Sequence, residues 1–476
     1  MSQNLYFYDL ETSGFSSRDA RVMQFAGQRT DMLLKPVSKP DNFLIKMSDD
    51  VLPDPDAVLI TGITPQQTIA EGISEAEFLK IFHQDIALPG TIFTGFNTVR
   101  FDDEFMRFMH YRNFYDAYEW QWRDGRSRWD LLDVVRMTRA LRPKGIKWPF
   151  DSEGRPANRL ELLTSVNKIS HDNAHDALAD VKATIELAKL IRSKQPKLFD
   201  YLLNMRDKKI VKAFVNGGEA FVYTSGKYSS EWEKTTVVAV VCEHPDQGVV
   251  VFDLRFDPAD FSKLNTTQLA EAWTRRWDDE GMKLPAKTLK YNRCPAVAPL
   301  SVLDQDSKKR LKIEELAIQK NLANLKSSGL DQKIPKVIEM LSKQRQTMLL
   351  ESQADVDSRL YENFIANQDK QMMSRVVLAS SDELTEIEAQ FKDDRLNALL
   401  PLYKARNYSK TLSAQEREEW ERFRTRRLTL GKENSRAAKF FKRLGELAQD
   451  KRLSDRDRYL LEELQLYGQS ILPIEG

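Results

Sequence analysis

The sequence predicts an α/β chain in three parts: an α/β domain, a small barrel-like β domain with some helix, and a domain built of helices alone. Three observations carry that reading. Residues 1–196 alternate short β-rich runs with helical patterns. From about Lys208 to Pro299 β runs dominate, separated by turn residues such as Asn216-Gly217-Gly218. After Leu311 the chain is dense in Glu, Lys, Arg and Leu at helical spacing. With 476 residues, 41% hydrophobic and 30% charged, it can fill several cores, which excludes a disordered or fibrous protein. The expected domains are 1–196, 197–350 and 351–476.

In the first part, Leu5–Tyr8, Val22–Thr30 and Met32–Val37 have strand composition. Ser74 followed by Glu77 predicts a capping box opening a helix through Ile86, and Thr91–Thr94 is a further strand. Phe101–Asn113, Trp129–Leu141 and His175–Lys194 carry apolar residues at helical spacing, and Pro196 stops the last. In the second part, Ala220–Tyr223, Thr235–Val241 and Val249–Leu254 are expected strands. There is no internal repeat and no long Gly/Ser linker, so the domains should pack into one body able to work as a monomer.

The charges nearly cancel, 72 basic against 71 acidic, so there is no global pull on a polyanion. Locally they do not. Met1–Pro196 holds 25 Lys/Arg against 28 Asp/Glu, whereas Lys404–Arg458 holds 17 against 9 and suggests a contact surface. No window is long and apolar enough to span a membrane, and Met1–Ser13 lacks the basic start and apolar run of a secretory signal, so a cytoplasmic protein is expected. Cys242 and Cys294 offer neither a disulfide framework nor a zinc pair. A metal would have to be held by oxygen ligands, with or without one of the five histidines.

Asp9-Leu10-Glu11 ends the first strand, and alternation puts both carboxylates on one face. Like charges converging on an apolar strand end are costly unless a divalent cation offsets them, and hard cations such as Mg²⁺ prefer oxygen. Alone, the motif favours a plain exposed strand end. Two elements add to it: Asn97–Asp102 delivers Asp102 at a helix start, and Asn173–Asp180 opens a later helix with His175 and Asp180. Asp103 and Glu104 fit simple helix-dipole partners. His175 and Asp180, five residues apart, cannot share a helical face, so His175 must reach the site from the first turn.

D-x-E, F-D and H-x-x-x-x-D in this order resemble the DEDDh exonuclease superfamily. Nearly the whole chain is similar to its bacterial exodeoxyribonuclease I family, through Val58–Gln66, Asn97–Glu104, Tyr111–Tyr115, Ser127–Val134 and Asn173–Asp180, and more weakly Asn292–Pro295 and Leu402–Tyr408. The resemblance implies an RNase H-like exonuclease domain, an SH3-like β-barrel domain and an all-helical C-terminal domain, closing around a DNA strand. It implies two Mg²⁺ ions, replaceable by Mn²⁺, on Asp9, Glu11, Asp102 and Asp180, with His175 as the base. The implied activity is 3′→5′ hydrolysis of single-stranded DNA to 5′-mononucleotides in DNA repair and recombination. The segment Gly226–Lys234 departs from the family pattern and leaves DNA contacts there open.

Between Phe105 and Trp129 stand nine aromatics and five arginines. Phe105, Phe108 and Trp129 sit among apolar residues and fit a core, whereas Tyr118–Arg128 interleaves rings and guanidiniums as base stacking with phosphate neutralisation requires. By resemblance Glu11, Arg107, Tyr118, Trp122, Arg136, Arg159 and His175 contact the strand. Arg159 would hold a phosphate, with an ion pair to Glu161 as the alternative. By the same resemblance Arg142 and Tyr201 take the acidic C-terminal tail of single-stranded DNA-binding protein, while Arg422–Arg427 by itself fits a solvated helix face. An exoribonuclease of the same superfamily and a non-catalytic DNA-binding protein are the rival readings.

Overall fold

The computed structural model describes residues 3–171, 175–246, 248–276, 279–351, 355–387 and 390–472. The first five strands, β1 (Asn4–Thr12), β2 (Val22–Thr30), β3 (Asp41–Leu44), β4 (Thr91–Gly95) and β5 (Ser127–Asp130), form a sheet in the order β3-β2-β1-β4-β5. β1 runs antiparallel to β2 and parallel to β4, and β4 is parallel to β5. Alternation divides β1 between two cores. Leu5 and Phe7 face the helices Leu131–Leu141 and Ala177–Lys194, while Tyr6, Tyr8 and Leu10 face a cluster of Phe25, Phe78, Phe82, Phe93 and Trp120. Cutting one such buried ring to alanine removes about 3–5 kcal/mol.

Several expected elements shift. Met32–Val37 is a turn, because the Asp31 carboxylate accepts from Leu33 and Lys35 N–H and Leu34 is left-handed; the third strand follows at Asp41. The helix after Ser74 is α-helical to Ile81 and continues as a π turn over Phe82–Ile86. Trp129 lies on β5, since Asp130 caps the helix that begins at Leu131. Lys208–Val215 is a helix capped by Asp207, so the β region starts later than its composition suggests.

The second sheet is antiparallel in the order β10-β6-β7-β8-β9, with β6 (Phe221–Thr224), β7 (Thr235–His244), β8 (Gly248–Asp253), β9 (Ala286–Lys290) and β10 (Ala296–Pro299). Helices Thr266–Thr274 and Leu330–Glu351 cover it, and one continuous core runs from Trp129 and Leu202 into Val222, Val237 and Phe252. From Asn367 onward every described element is helical. These helices pack on the first part twice, through Phe108, Tyr111 and Phe114 against Leu399 and Tyr403, and through Val58 against Phe440 and Leu461. No described helix is long and apolar enough to cross a membrane.

Candidate active site

The parity that sends Leu5 and Phe7 to one face of β1 sends Asp9 and Glu11 to the same face, and the Ala177–Lys194 helix lies over it. Asp176 caps that helix by accepting from Ala179 N–H, which fixes its start and puts Asp180 on its first turn. One carboxylate oxygen from each of Asp9, Glu11 and Asp180 lies within 4.8 Å of the others. Asp102 opens the Asp102–Arg112 helix, and its Oδ1 accepts from Leu10 N–H at 3.1 Å, between the two strand carboxylates in sequence. The loop delivering it is braced by Asp130, which accepts from Asn97 and Val99 N–H at 3.0 and 3.2 Å.

Burial, then the charges of Asp102, Glu11 and Asp180, hold the Asp9 carboxyl well above its ordinary value. Burial, then Asp180, Asp102 and Asp176, push Glu11 up to about 9. Asp102 is raised by burial against the backbone N–H groups that oppose it, and Asp180 by burial against His171. Three converging carboxylates with the charge of Asp102 beside them, and without a lysine or arginine partner among the described residues, suit hard divalent cations.

Of the two histidines at the helix entrance, His171 touches the cluster. Its Nε2 meets Asp180 Oδ1, and Thr164 Oγ1 lies 3.2 Å from its Nδ1. His175 is exposed on a left-handed turn (φ 70°) and lines a cavity of about 330 Å³ with Gln24, Asn42, Thr61, Gln67 and Asp176. Asn173 and Ala174 of the motif lie outside the described residues. Sequence reasoning passed over His171; four residues from His175, it was the second imidazole of one short segment.

Phe105, Phe108 and Trp129 are buried. Trp122 is 62% exposed, and Tyr118 is half-buried with the Arg107 guanidinium 5.6 Å from its ring centre. Arg107 is itself buried and bonded to Glu104 and Gln121. With Arg126 they line a cleft of about 910 Å³ that the second part completes with Arg206, Lys290 and Arg293, and the third with Tyr361 and Phe364. No local spacing signalled those partners. Asp103 and Glu104 are more than helix-dipole charges: Asp103 accepts from Tyr8 and Arg128, and Glu104 joins Arg107, Arg293 and Tyr361. Arg136 bonds Asp133 at 2.7 Å; Arg159 is exposed at the start of the Leu160–Asn167 helix, with no ion pair to Glu161. Arg142 pairs with Asp304 at 3.6 Å and donates to Val302 O, whereas the Tyr201 hydroxyl has no hydrogen-bond partner among the described residues.

An α/β sheet ending in clustered carboxylates defines the class, and residues 6–188 match the family model described as Exonuclease. Residues 206–340 match the Exonuclease I SH3-like domain and 354–471 the Exonuclease I C-terminal domain. The chain is 37% identical to Exodeoxyribonuclease I of Haemophilus influenzae over 477 residues, covering 98% of this chain and 99% of that one. It superposes on E. coli Exonuclease I in complex with a dA16 oligonucleotide with a TM-score of 0.91, at 36% identity, covering 99% of this chain and 100% of that one. The zinc-bound E. coli ExoI–ssDNA complex (TM-score 0.91, 36% identity) and an SSB/Exonuclease I complex with the inhibitor CFAM (0.89, 35%) match over the same shares. The protein is a DNA exonuclease. It belongs to the exodeoxyribonuclease I family, and its three parts are an exonuclease domain, an SH3-like domain and the family's C-terminal domain.

Proposed function

We propose that this enzyme degrades single-stranded DNA from the 3′ end to 5′-mononucleotides, in DNA repair and recombination, as a cytoplasmic monomer with domains 1–196, 197–350 and 351–476. The observation that carries the reading is the convergence of Asp9, Glu11 and Asp180 within 4.8 Å, with no lysine or arginine paired to them among the described residues. Asp9, Glu11, Asp102 and Asp180 would hold two Mg²⁺ ions, or Mn²⁺ in their place. Bound there, the ions supply the Lewis acidity that phosphodiester hydrolysis needs.

His175 takes the proton of the attacking water, a role worth about 10²–10⁴ in rate. His171 orients Asp180. Trp122 and Tyr118 stack bases, each contributing about 1–3 kcal/mol, and Arg107, Arg136 and Arg159 meet phosphates. Arg142 and Tyr201 receive the acidic tail of single-stranded DNA-binding protein. Support comes from relatives solved with oligonucleotides, with zinc, and as an SSB/Exonuclease I complex.

The test is digestion of a 3′-labelled single strand with Mg²⁺ and with EDTA, beside an RNA strand of equal sequence. Labelled mononucleotide released first, from DNA only and only with Mg²⁺, is expected. Release from RNA at the same rate, or activity in EDTA, overturns the reading.

A further inference from the structure

A buried amide on β2 stands at the entrance of the helix that carries Asp180. Gln24 pairs with Glu11 across the β1–β2 ladder, and directly opposed residues of an antiparallel pair project to the same face. The register slips immediately beyond Glu11, so this is the last regular pair before the strand end. Slips of that kind beside active sites re-aim the side chains next to them. Gln24 is 5% exposed.

Both ends of its amide are engaged. Oε1 accepts at 3.2 Å from the N–H of Ala177, the first residue of the Ala177–Lys194 helix. Nε2 donates to Asp176 Oδ2 at 3.2 Å and to Asn42 Oδ1, on β3, at 3.0 Å. A backbone N–H can only donate and an ionised carboxylate can only accept, so the pair Ala177 and Asp176 calls for an amide and fixes which way it points. Gln24 thereby ties two strands of the sheet to the helix entrance.

His175 directly precedes the two residues so gripped. Its left-handed turn (φ 70°) is one that a residue other than glycine adopts only where its surroundings hold it. Gln24 lines the same cavity as His175. Asp180 is held without Gln24, since its N–H donates to Asp176 O at 3.0 Å and its Oδ1 meets His171. The clamp therefore bears on the imidazole and leaves the carboxylates to other supports. We propose that Gln24 is a positioning residue for His175, fixing the turn from which the imidazole serves the attacking water; the inference rests on the role proposed above for His175.

The test is single-turnover cleavage of a 3′-labelled oligo-dT in saturating Mg²⁺ by wild type, Gln24→Met, His175→Ala and the two changes together. Oligo-dT binding and melting temperature in EDTA report on the fold. Methionine keeps the reach of the side chain and removes its hydrogen bonds to Ala177, Asp176 and Asn42. Gln24→Met should slow cleavage by about 10- to 100-fold, the scale of a reacting group misplaced by about 1 Å, with oligo-dT binding and the half-saturating Mg²⁺ concentration unchanged. In the His175→Ala background the same change should have almost no effect. Gln24→Glu sets a second carboxylate against Asp176 and should be slower still, and adding Asp176→Asn supplies a donor again and should restore most of the rate. If Gln24→Met proves too unstable to assay, this exchange decides the matter. An equal loss with and without His175, no loss when His175 is present, or no recovery in the exchange overturns the proposal. His175→Ala cleaving as fast as wild type would instead refute the base reading, and this inference with it.

Discussion

Two groups of buried carboxylates in this molecule have opposite electrostatic fates. Asp50 and Asp357 are fully buried where the exonuclease and C-terminal domains meet. Arg406 bonds both, at 2.7 and 2.8 Å; Arg21 reaches Asp357 at 2.7 Å, and Arg427 reaches Asp357 at 3.0 Å. Burial pushes these carboxyls up, but Arg406, Arg427 and Arg21 overcome it and hold both below the ordinary range. At Asp9, Glu11, Asp102 and Asp180 burial acts the same way and no guanidinium among the described residues answers it, so all four rise. Burial thus produces a structural joint where cations are built in and, on the function proposed above, a site for mobile cations where they are not.

The largest test breaks the joint. Asp357→Asn leaves three buried guanidiniums short of a partner and should cost about 3–5 kcal/mol of stability in chemical denaturation, while the folded variant still cleaves DNA. Asp180→Asn should do the reverse, lowering the cleavage rate by more than about 10²-fold with thermal stability in EDTA equal to or above wild type. If Asp180→Asn instead unfolds the protein and Asp357→Asn does not, the contrast between the clusters is wrong.

The next effect is a gain. Mg²⁺ at a hundred times its dissociation constant should stabilise the wild type by about 2.7 kcal/mol, seen as a rise in melting temperature that EDTA reverses. The Asp9→Asn variant should lose most of that rise and Asp357→Asn should keep it. Equal rises in wild type and Asp9→Asn would place the ion elsewhere.

The smallest concerns a third buried cluster, one that stays neutral. His83 stacks on Tyr115 with ring centres 4.5 Å apart and packs edge-on to His110. Burial, then Arg126, lowers His83 to about 4, and burial, then His83, lowers His110. The unfolded chain therefore binds these protons first. Their contribution to stability is complete above the ordinary imidazole value of 6.5 and declines as pH falls toward 4. Replacing His83 by Phe should flatten stability against pH across that window; an unaltered slope would mean that His83 is charged in the fold.

Short-range pattern made much of the site legible. Parity along β1 follows from strand geometry, so Asp9-Leu10-Glu11 announced two carboxylates on the face that Leu5 and Phe7 bury, and apolar spacing from Ala177 onward announced the helix that brings Asp180 to them. Turn chemistry was harder to see. Met32–Val37 has strand composition, yet a single Asp31 side chain bonding two backbone N–H groups bends it.

What only the tertiary structure decided depends on partners far away in the chain. Arg422–Arg427 looks solvated in sequence, but Arg427 is buried because Asp357 and Asp50 are folded against it, the latter some four hundred residues earlier. Arg21 is fixed by Asp357, 336 residues on. The histidine that meets Asp180 is His171 rather than the motif's His175, since the Leu160–Asn167 helix offers Thr164 behind its ring. Sequence periodicity determines which face a side chain takes; which charge it finds there is set by the packing of separate domains, and no local spacing encodes that.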